Sequence, residues 1–286
     1  MLLLKEIPGK SILSMSEMIQ AVEDSLLELA KGAYLQVDQD RLVWRETIIL
    51  YSVSTGEPLV MFQDCGINEY RTGAAGALGF KYLAKETASS LGILGTGPQA
   101  QAQLLAINEM RKLKEVRAFS PNPEHRRTFA REMTAALNVD VIAVNSAREA
   151  VEAMDIVVVV TNSVTPVFDG AWLTPGAHID SIANGDKNRM REELDVETFR
   201  RGDLVYVTSK ETVAINESDV YRKARDGVIS WDSVYEFGDL LLGRARGRTS
   251  DEQITLYELQ GLGIMDIAIS ALAYERAKEL GLRLEW

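Results

Sequence analysis

The chain has 286 residues, 46% hydrophobic and 26% charged, with a formal net charge of −11. This is the profile of a soluble globular protein long enough for one large or two ordinary domains. The acidic balance without a basic stripe argues against nucleic acid as a partner. A single cysteine, Cys65, and two histidines, His125 and His178, exclude an intramolecular disulfide, a thiolate metal site and a Cys-His protease, and no metal is expected. The opening MLLLKEIPGK lacks the apolar core of a signal peptide. No run approaches the ~18 apolar residues of a membrane span, so the expected location is cytoplasmic, with no membrane partner.

The first element is SMSEMIQAVEDSLLELAKG, with Met18, Ile19, Val22, Leu26 and Leu29 at helical spacing. Ser14 or Ser16 serves as its N-cap, and Gly32 stands where a left-handed closing residue belongs. ETIILYSVSTGEPLVMFQD reads as two strands around a Ser54-Thr55-Gly56-Glu57 turn. EYRTGAAGALGFKYLAKE then reads as a helix whose small residues permit close packing. From about residue 90 strands and helices alternate. Strands are predicted at 91–94, 116–120, 139–144, 156–161, 178–183 and 204–207, with helices at 98–111, 123–136 and 147–153. Continuous apolar runs such as DIVVVVT belong in a parallel sheet covered on both faces. The tail GLGIMDIAISALAYERAKEL is a final helix, expected to pack back on the N-terminal region. The fold class is α/β, with a Rossmann-type doubly wound parallel sheet and a smaller α/β domain.

Gly95-Thr96-Gly97-Pro98-Gln99-Ala100 fits G-x-G-x-x-[GA] after a strand and before a helix. Gly95 allows the tight turn, Gly97 lets a pyrophosphate approach the backbone, and Ala100 keeps helix and sheet close. The helix start, with Pro98 and Gln99, offers N–H groups and a positive dipole end to phosphate. An NAD site usually places a carboxylate at the end of the second strand. Here Ser120 stands there, followed by Asn122, Arg126 and Arg127. NADP(H) is therefore favoured, with NAD(H) the alternative.

Several motifs occur in order: YRTGAAGALGFKYLA, LGILGTGPQAQAQL, DIVVVVTNSVTPVFDGAWLTPGAHIDSI, REELDVETFRRGD and GRTSDEQITLYELQGLGIMDIA. Together they resemble the ornithine cyclodeaminase/mu-crystallin family from about residue 47 to 275. The resemblance implies a homodimer. Each subunit would have a substrate and dimerisation domain over residues 1–88, to which 262–286 return, and a Rossmann dinucleotide-binding domain over 89–261. It also implies a small amino or imino acid as substrate, acted on through a bound nicotinamide. Arg71 matches the family arginine that grips the substrate carboxylate, a role a guanidinium suits by bidentate bonding. Thr72 matches a position near the cofactor phosphates. Thr161, Asn162 and Ser163 match a cofactor-lining T-N-S at a strand's carboxyl end.

Two departures bear on the chemistry. The family's proton-moving Asp follows the fifth strand. In SIANGDKNRMREELD that position aligns with Lys187, and Asp186 lies one residue earlier; both are catalytic candidates. The family also carries a longer segment between the first helix and ETIILYS, with a substrate-binding Arg and a catalytic Lys. This chain has no Lys between Lys31 and Lys81, and Arg41 and Arg45 align with neither. Either the protein lacks the segment, leaving an open substrate pocket, or this sequence omits residues of the natural protein.

The preferred reading is an NAD(P)-dependent oxidoreductase acting by hydride transfer, as a ketimine reductase or amino-acid dehydrogenase. The alternatives are an ornithine or lysine cyclodeaminase, which releases ammonia with no net redox over bound NAD, and a non-catalytic NADP-binding dimer.

Overall fold

The computed structural model describes residues 2–4, 12–31, 47–63, 66–182 and 190–282. Helix α1 (Met15–Ala30) is started by a capping box in which Ser14 Oγ accepts from the Glu17 N–H while the Glu17 carboxylate accepts from the Ser14 N–H. Of the two serines considered, Ser14 is thus the cap. The helix buries Met18, Ile19, Val22 and Leu26, the stripe the spacing predicts. Gly32 lies outside the described residues.

A small sheet has the order β1-β3-β2. The hairpin β2 (Thr47–Tyr51) and β3 (Pro58–Gln63) is antiparallel, and Gly56 at φ +73° lets the chain reverse between them. Strand β1 (Leu2–Leu4) pairs parallel with the other edge of β3, a strand the leucine run alone does not reveal.

Helix α2 (Ile67–Leu83) lies against α3 (Pro98–Met110). At Gly79 the helix meets the Tyr257 ring, 2.4 Å from where a Cβ would sit, and Gly73 lets it meet α3: a Cβ there would sit 2.5 Å from the Ala102 carbonyl oxygen. The helices therefore touch backbone to backbone.

Among the described residues eight strands form the second sheet: β4 (Ser90–Leu94), β5 (Glu115–Phe119), β6 (Val141–Ala143), β7 (Ile156–Val159), β8 (His178–Ile182), β9 (Leu204–Val207), β10 (Val234–Glu236) and β11 (Thr255–Leu259). All pairs are parallel, in the order β10-β9-β11-β8-β7-β4-β5-β6. Every residue of β7, β8, β9 and β11 is buried, which accounts for the unbroken apolar run in β7. The connections run through α4 (Pro123–Leu137), α5 (Ala147–Val151), α6 (Val196–Arg201), α7 (Lys210–Ile215), α8 (Asp219–Arg225) and α9 (Phe237–Leu241). Helix α10 (Gly263–Glu279) packs on α1 and α2, and Arg276 pairs with Glu17.

Several expected boundaries are corrected. The strand placed at 139–144 spans only Val141–Ala143, and the one placed at 156–161 ends at Val159, so Thr161 belongs to the turn beyond it. The helix placed at 147–153 stops at Val151, and Ala153 takes a left-handed φ of +65°. Neither β10 nor β11 is among the strands predicted from the sequence, and β11 lies between β8 and β9 rather than after them.

Candidate active site

Parallel strands all end at one edge of the sheet. In an open α/β sheet, ligands bind beyond that edge, where chain progression reverses. Here the reversal lies between β4 and β7: β4 continues outward to β5 and β6, and β7 continues the other way to β8. The Gly95–Gly97 turn leaves β4 at this point. Gly95 has φ +111°, and a Cβ on it would lie 2.2 Å from the Val160 carbonyl oxygen, so only glycine fits. Gly97 is extended, and a Cβ on it would meet nothing within 4 Å. Pro98 opens α3, whose first turn has no side-chain cap. No side chain claims its first N–H groups, as an anion site requires. These features fit a dinucleotide pyrophosphate.

Beside this turn, Thr96 Oγ1 donates to Ser120 Oγ at 3.0 Å, and Ser120 Oγ donates to the Asn122 carbonyl at 3.3 Å. Asn122 Oδ1 caps α4 by accepting from the Glu124 and His125 N–H groups. Arg126 is buried: its guanidinium donates to the Ser120 carbonyl at 3.0 Å and to Asn145 Oδ1 at 3.2 Å, and lies over the Phe119 ring. It fastens the turn from beneath. Arg127 is exposed, 3.5 Å from Glu124.

On the β7 side, the Thr161 N–H and Oγ1 both donate to Glu193 Oε1 at 2.5 Å, and Arg191 donates to the Thr161 carbonyl. Ser163 closes the turn by donating to the Thr165 carbonyl, while Asn162 is exposed. Behind Glu193 lie two more buried carboxyls. Asp219 accepts from the Glu193 N–H, and Glu258 accepts from the Val220 N–H. Burial pushes Glu193 up to about 7 against the Thr161 hydrogen bonds, and pushes Glu258 up to about 8 with help from the charge of Asp219. Nothing in the sequence marks this acid cluster, because Glu193 of REELD meets Asp219 and Glu258 only through the fold.

Arg71 lies in the first turns of α2 and is buried. Its Nε pairs with Asp266 of α10 at 3.0 Å and its Nη2 donates to Asn68 Oδ1, with Gly261 packed against the guanidinium. Thr72 Oγ1 donates to the Asn68 carbonyl. Since α2 packs on α3, Arg71 and Thr72 sit on the helix that touches the one the Gly97 turn opens. Asp186 and Lys187 lie outside the described residues, but β8, the strand preceding them, ends at Ile182 on this edge. The segment that departs from the family pattern, with Arg41 and Arg45, also lies outside them. Among the described residues there is no group of three or more His, Cys, Asp or Glu arranged to hold a metal, and no helix long and apolar enough to cross a membrane.

An all-parallel sheet with a glycine turn at its switch point, an uncapped helix start behind it and a buried arginine on the adjoining helix defines a dinucleotide-binding α/β protein. The family model described as "Ornithine cyclodeaminase/mu-crystallin family" matches residues 11–281. A Delta(1)-pyrroline-2-carboxylate reductase of Bacillus cereus is 30% identical over 267 residues, covering 92% of this chain and 81% of that protein. The structure of Thermococcus litoralis Delta(1)-pyrroline-2-carboxylate reductase in complex with NADH and L-proline superposes with a TM-score of 0.88 at 31% identity, covering 100% of both chains. An archaeal alanine dehydrogenase dimer with bound NAD gives 0.87 at 27% identity, covering 99% of this chain and 98% of that one. The chain belongs to the ornithine cyclodeaminase/mu-crystallin family.

Proposed function

We propose that this protein is an NAD(P)-dependent imine reductase that converts a small, cyclic imino acid to the corresponding amino acid. The observation that carries the reading is the direct contact of two helices, α2 with the buried Arg71 and α3 with the open Gly97 turn, at the switch-point edge of the sheet. The reductase names and the NADH and L-proline of the relatives above support it. The cofactor supplies the hydride. Arg71, pre-oriented by Asp266 and Asn68, grips the substrate carboxylate and sets the imine carbon toward it. Thr72, Gly95, Gly97, Pro98 and Gln99 line the pyrophosphate, and Thr161, Asn162 and Ser163 line the nicotinamide side. Reduction of C=N takes one hydride at carbon and one proton at nitrogen, and Asp186 or Lys187 handles that proton. Orientation is most of the protein's contribution, because the cofactor carries the chemistry.

NADP(H) is favoured over NAD(H) in this proposal, although the solved relatives named above hold NADH or NAD. The reason is the absence of a carboxylate at Ser120, together with the cationic charge of Arg126 beneath the turn and Arg127 beside it. The active form is a homodimer, with residues 1–88 and 262–286 as its substrate and dimerisation part and 89–261 as the dinucleotide-binding part. Exposed Tyr51 and Val53 on the hairpin and exposed Ile267 and Leu280 on and after α10 offer apolar contact area for it. The test is oxidation of NADPH and NADH with pyrroline-2-carboxylate added, followed by absorbance. Turnover with the cyclic imino acid is the expected result. Ammonia release from ornithine without net change in NADH would make the protein a cyclodeaminase instead.

A further inference from the structure

Asp180, in the middle of β8, is fully buried, and neither of its oxygens has a hydrogen-bond partner among the described residues. The Gln103 Oε1 on α3 is buried and unpartnered in the same way. A Cβ at Gly76 of α2 would lie 2.1 Å from Gln103 Oε1 and 2.4 Å from Asp180 Oδ2, so the two oxygens converge on one point. The Gln103 amide is oriented by its Nε2, which donates to the Thr72 carbonyl at 3.0 Å.

Two acceptors converging in a dry interior repel unless a proton lies between them. Turning the amide over would give Asp180 one N–H. It would also press the Gln103 oxygen on the Thr72 carbonyl and leave an ionised, buried carboxylate with a single donor. Protonating Asp180 removes the buried charge, gives Gln103 Oε1 a donor and keeps the Gln103–Thr72 bond.

The surroundings agree. On β8 itself, His178 is held down to about 3 by burial and by Arg248, so it is uncharged, and its Nδ1 lies 2.9 Å from Thr255 Oγ1. From β11 comes Tyr257, which burial keeps protonated. From β7 comes Val158, opposite Asp180 in register. Arg248 is occupied by Thr255 and by the Leu83, Gly176 and Gln253 carbonyls. None of these offers Asp180 a counter-charge.

We propose that Asp180 is a positioning residue that, as a neutral carboxylic acid, donates to Gln103 Oε1 and so ties β8 through Gln103 to the Thr72 carbonyl. This link joins the strand that leads into residues 183–189 to the helix turn that carries Arg71. Burial alone raises the Asp180 carboxyl to about 8, so the link holds at neutral pH and opens in mild alkali. The functional consequence rests on the imine-reductase reading, whereas the hydrogen bond does not.

The test compares wild type, D180N and D180A, measuring KM and kcat with a cyclic imino acid and melting temperature, each from about pH 6 to about pH 10. Asn supplies a permanent donor of the same shape, and Ala removes it. Wild-type KM is expected to rise above about pH 8, approaching tenfold per further unit as the protonated fraction falls. D180N is expected to match wild type at pH 7 within about twofold and to lack that rise. D180A is expected to show a raised KM at every pH. The proposal is overturned if D180N is as impaired as D180A at neutral pH, or if it shares the wild-type alkaline rise. Should no imino acid be turned over, the melting data still decide. The advantage of D180N over wild type must widen from pH 6 to about pH 8 and then level off, because below that point only the wild-type fold has to retain a proton that its unfolded chain releases. A constant difference would overturn the hydrogen bond itself.

Discussion

Gly97→Ala separates the folding role of the glycine turn from its binding role. At φ −88° and ψ −176° the backbone suits alanine, and its methyl would meet no protein atom within 4 Å. The gain from a stiffer unfolded chain is about 0.4–1 kcal/mol. Alanine is a poorer helix cap than glycine by a comparable amount. The cofactor-free variant should therefore melt within about 3 °C of wild type. The same methyl occupies space that a pyrophosphate needs, and a displacement of the phosphate that weakens Kd tenfold costs about 1.4 kcal/mol. With cofactor at one hundred times the wild-type Kd, ligand stabilisation is about 2.7 kcal/mol for wild type and about 1.4 kcal/mol for the variant. Melting curves with and without NADPH and NADH, beside fluorescence titration, read both effects. An unchanged Kd in a normally stable Gly97→Ala protein would refute the dinucleotide site at this turn. Gly95→Ala is the contrasting control, since its methyl would strike the Val160 carbonyl and the left-handed φ adds about 1–3 kcal/mol of strain.

Arg71→Ala should lower kcat/KM for a carboxylate-bearing imine by about 10²–10³-fold. It should also destabilise the protein by about 1–3 kcal/mol, because the half-buried Asp266 loses its charged partner; Arg71→Lys should keep more of the stability than of the activity, as urea titration and kinetics would show. Ser120→Asp should shift the ratio of NADPH to NADH kcat/KM toward NADH by about tenfold or more, and an unchanged ratio would remove Ser120 from the ribose site. Glu193 and Glu258 have folded values of about 7 and about 8, raised above their unfolded ones. Their contribution to stability is therefore complete below about pH 4 and is lost as pH rises to about 8, by about 1.4 kcal/mol per unit for each group. Urea midpoints across that range should fall with pH, and Glu258→Gln should flatten the slope.

The strand–helix rhythm after residue 90 was legible because buried parallel strands have no polar alternation to blur them: Ile156–Val159 and Leu204–Val207 could hardly be anything else. The glycine turn was legible because Gly95 meets a steric need that no other residue meets, and Gly97 and Ala100 follow it at the spacing a dinucleotide turn uses. By contrast, β10 has three residues, and β11 ends in Glu258-Leu259 and leads to Gln260, so neither shows a period long enough to count. The partners of Arg71 were hidden by distance along the chain: Asp266 is 195 residues away, and only the return of α10 brings it near. Arg126 reads in PEHRRTFA as a cation free to meet a phosphate, yet the fold turns it inward under Ser120, where backbone carbonyls and Asn145 take its donors. Glu193, Asp219, Glu258 and Asp180 look like ordinary charges in sequence, because burial of a carboxyl is decided by what other segments cover it.

The insertion of β11 between β8 and β9 has a consequence for how the chain reaches this fold. Residues 178–182 and 204–207 cannot bond to each other in the finished sheet. Each pairs on one side, with β7 or with β10, while its other edge waits for residues 255–259, the last of the described strands to emerge during synthesis. Until then both present apolar parallel edges to solvent, the kind of edge on which other chains stack. Long-range parallel pairing is also slow to close. A nascent or truncated chain ending before Thr255 is therefore the species most prone to aggregate. The half-sheet β7-β4-β5-β6, built from segments contiguous in sequence, is free to form ahead of it.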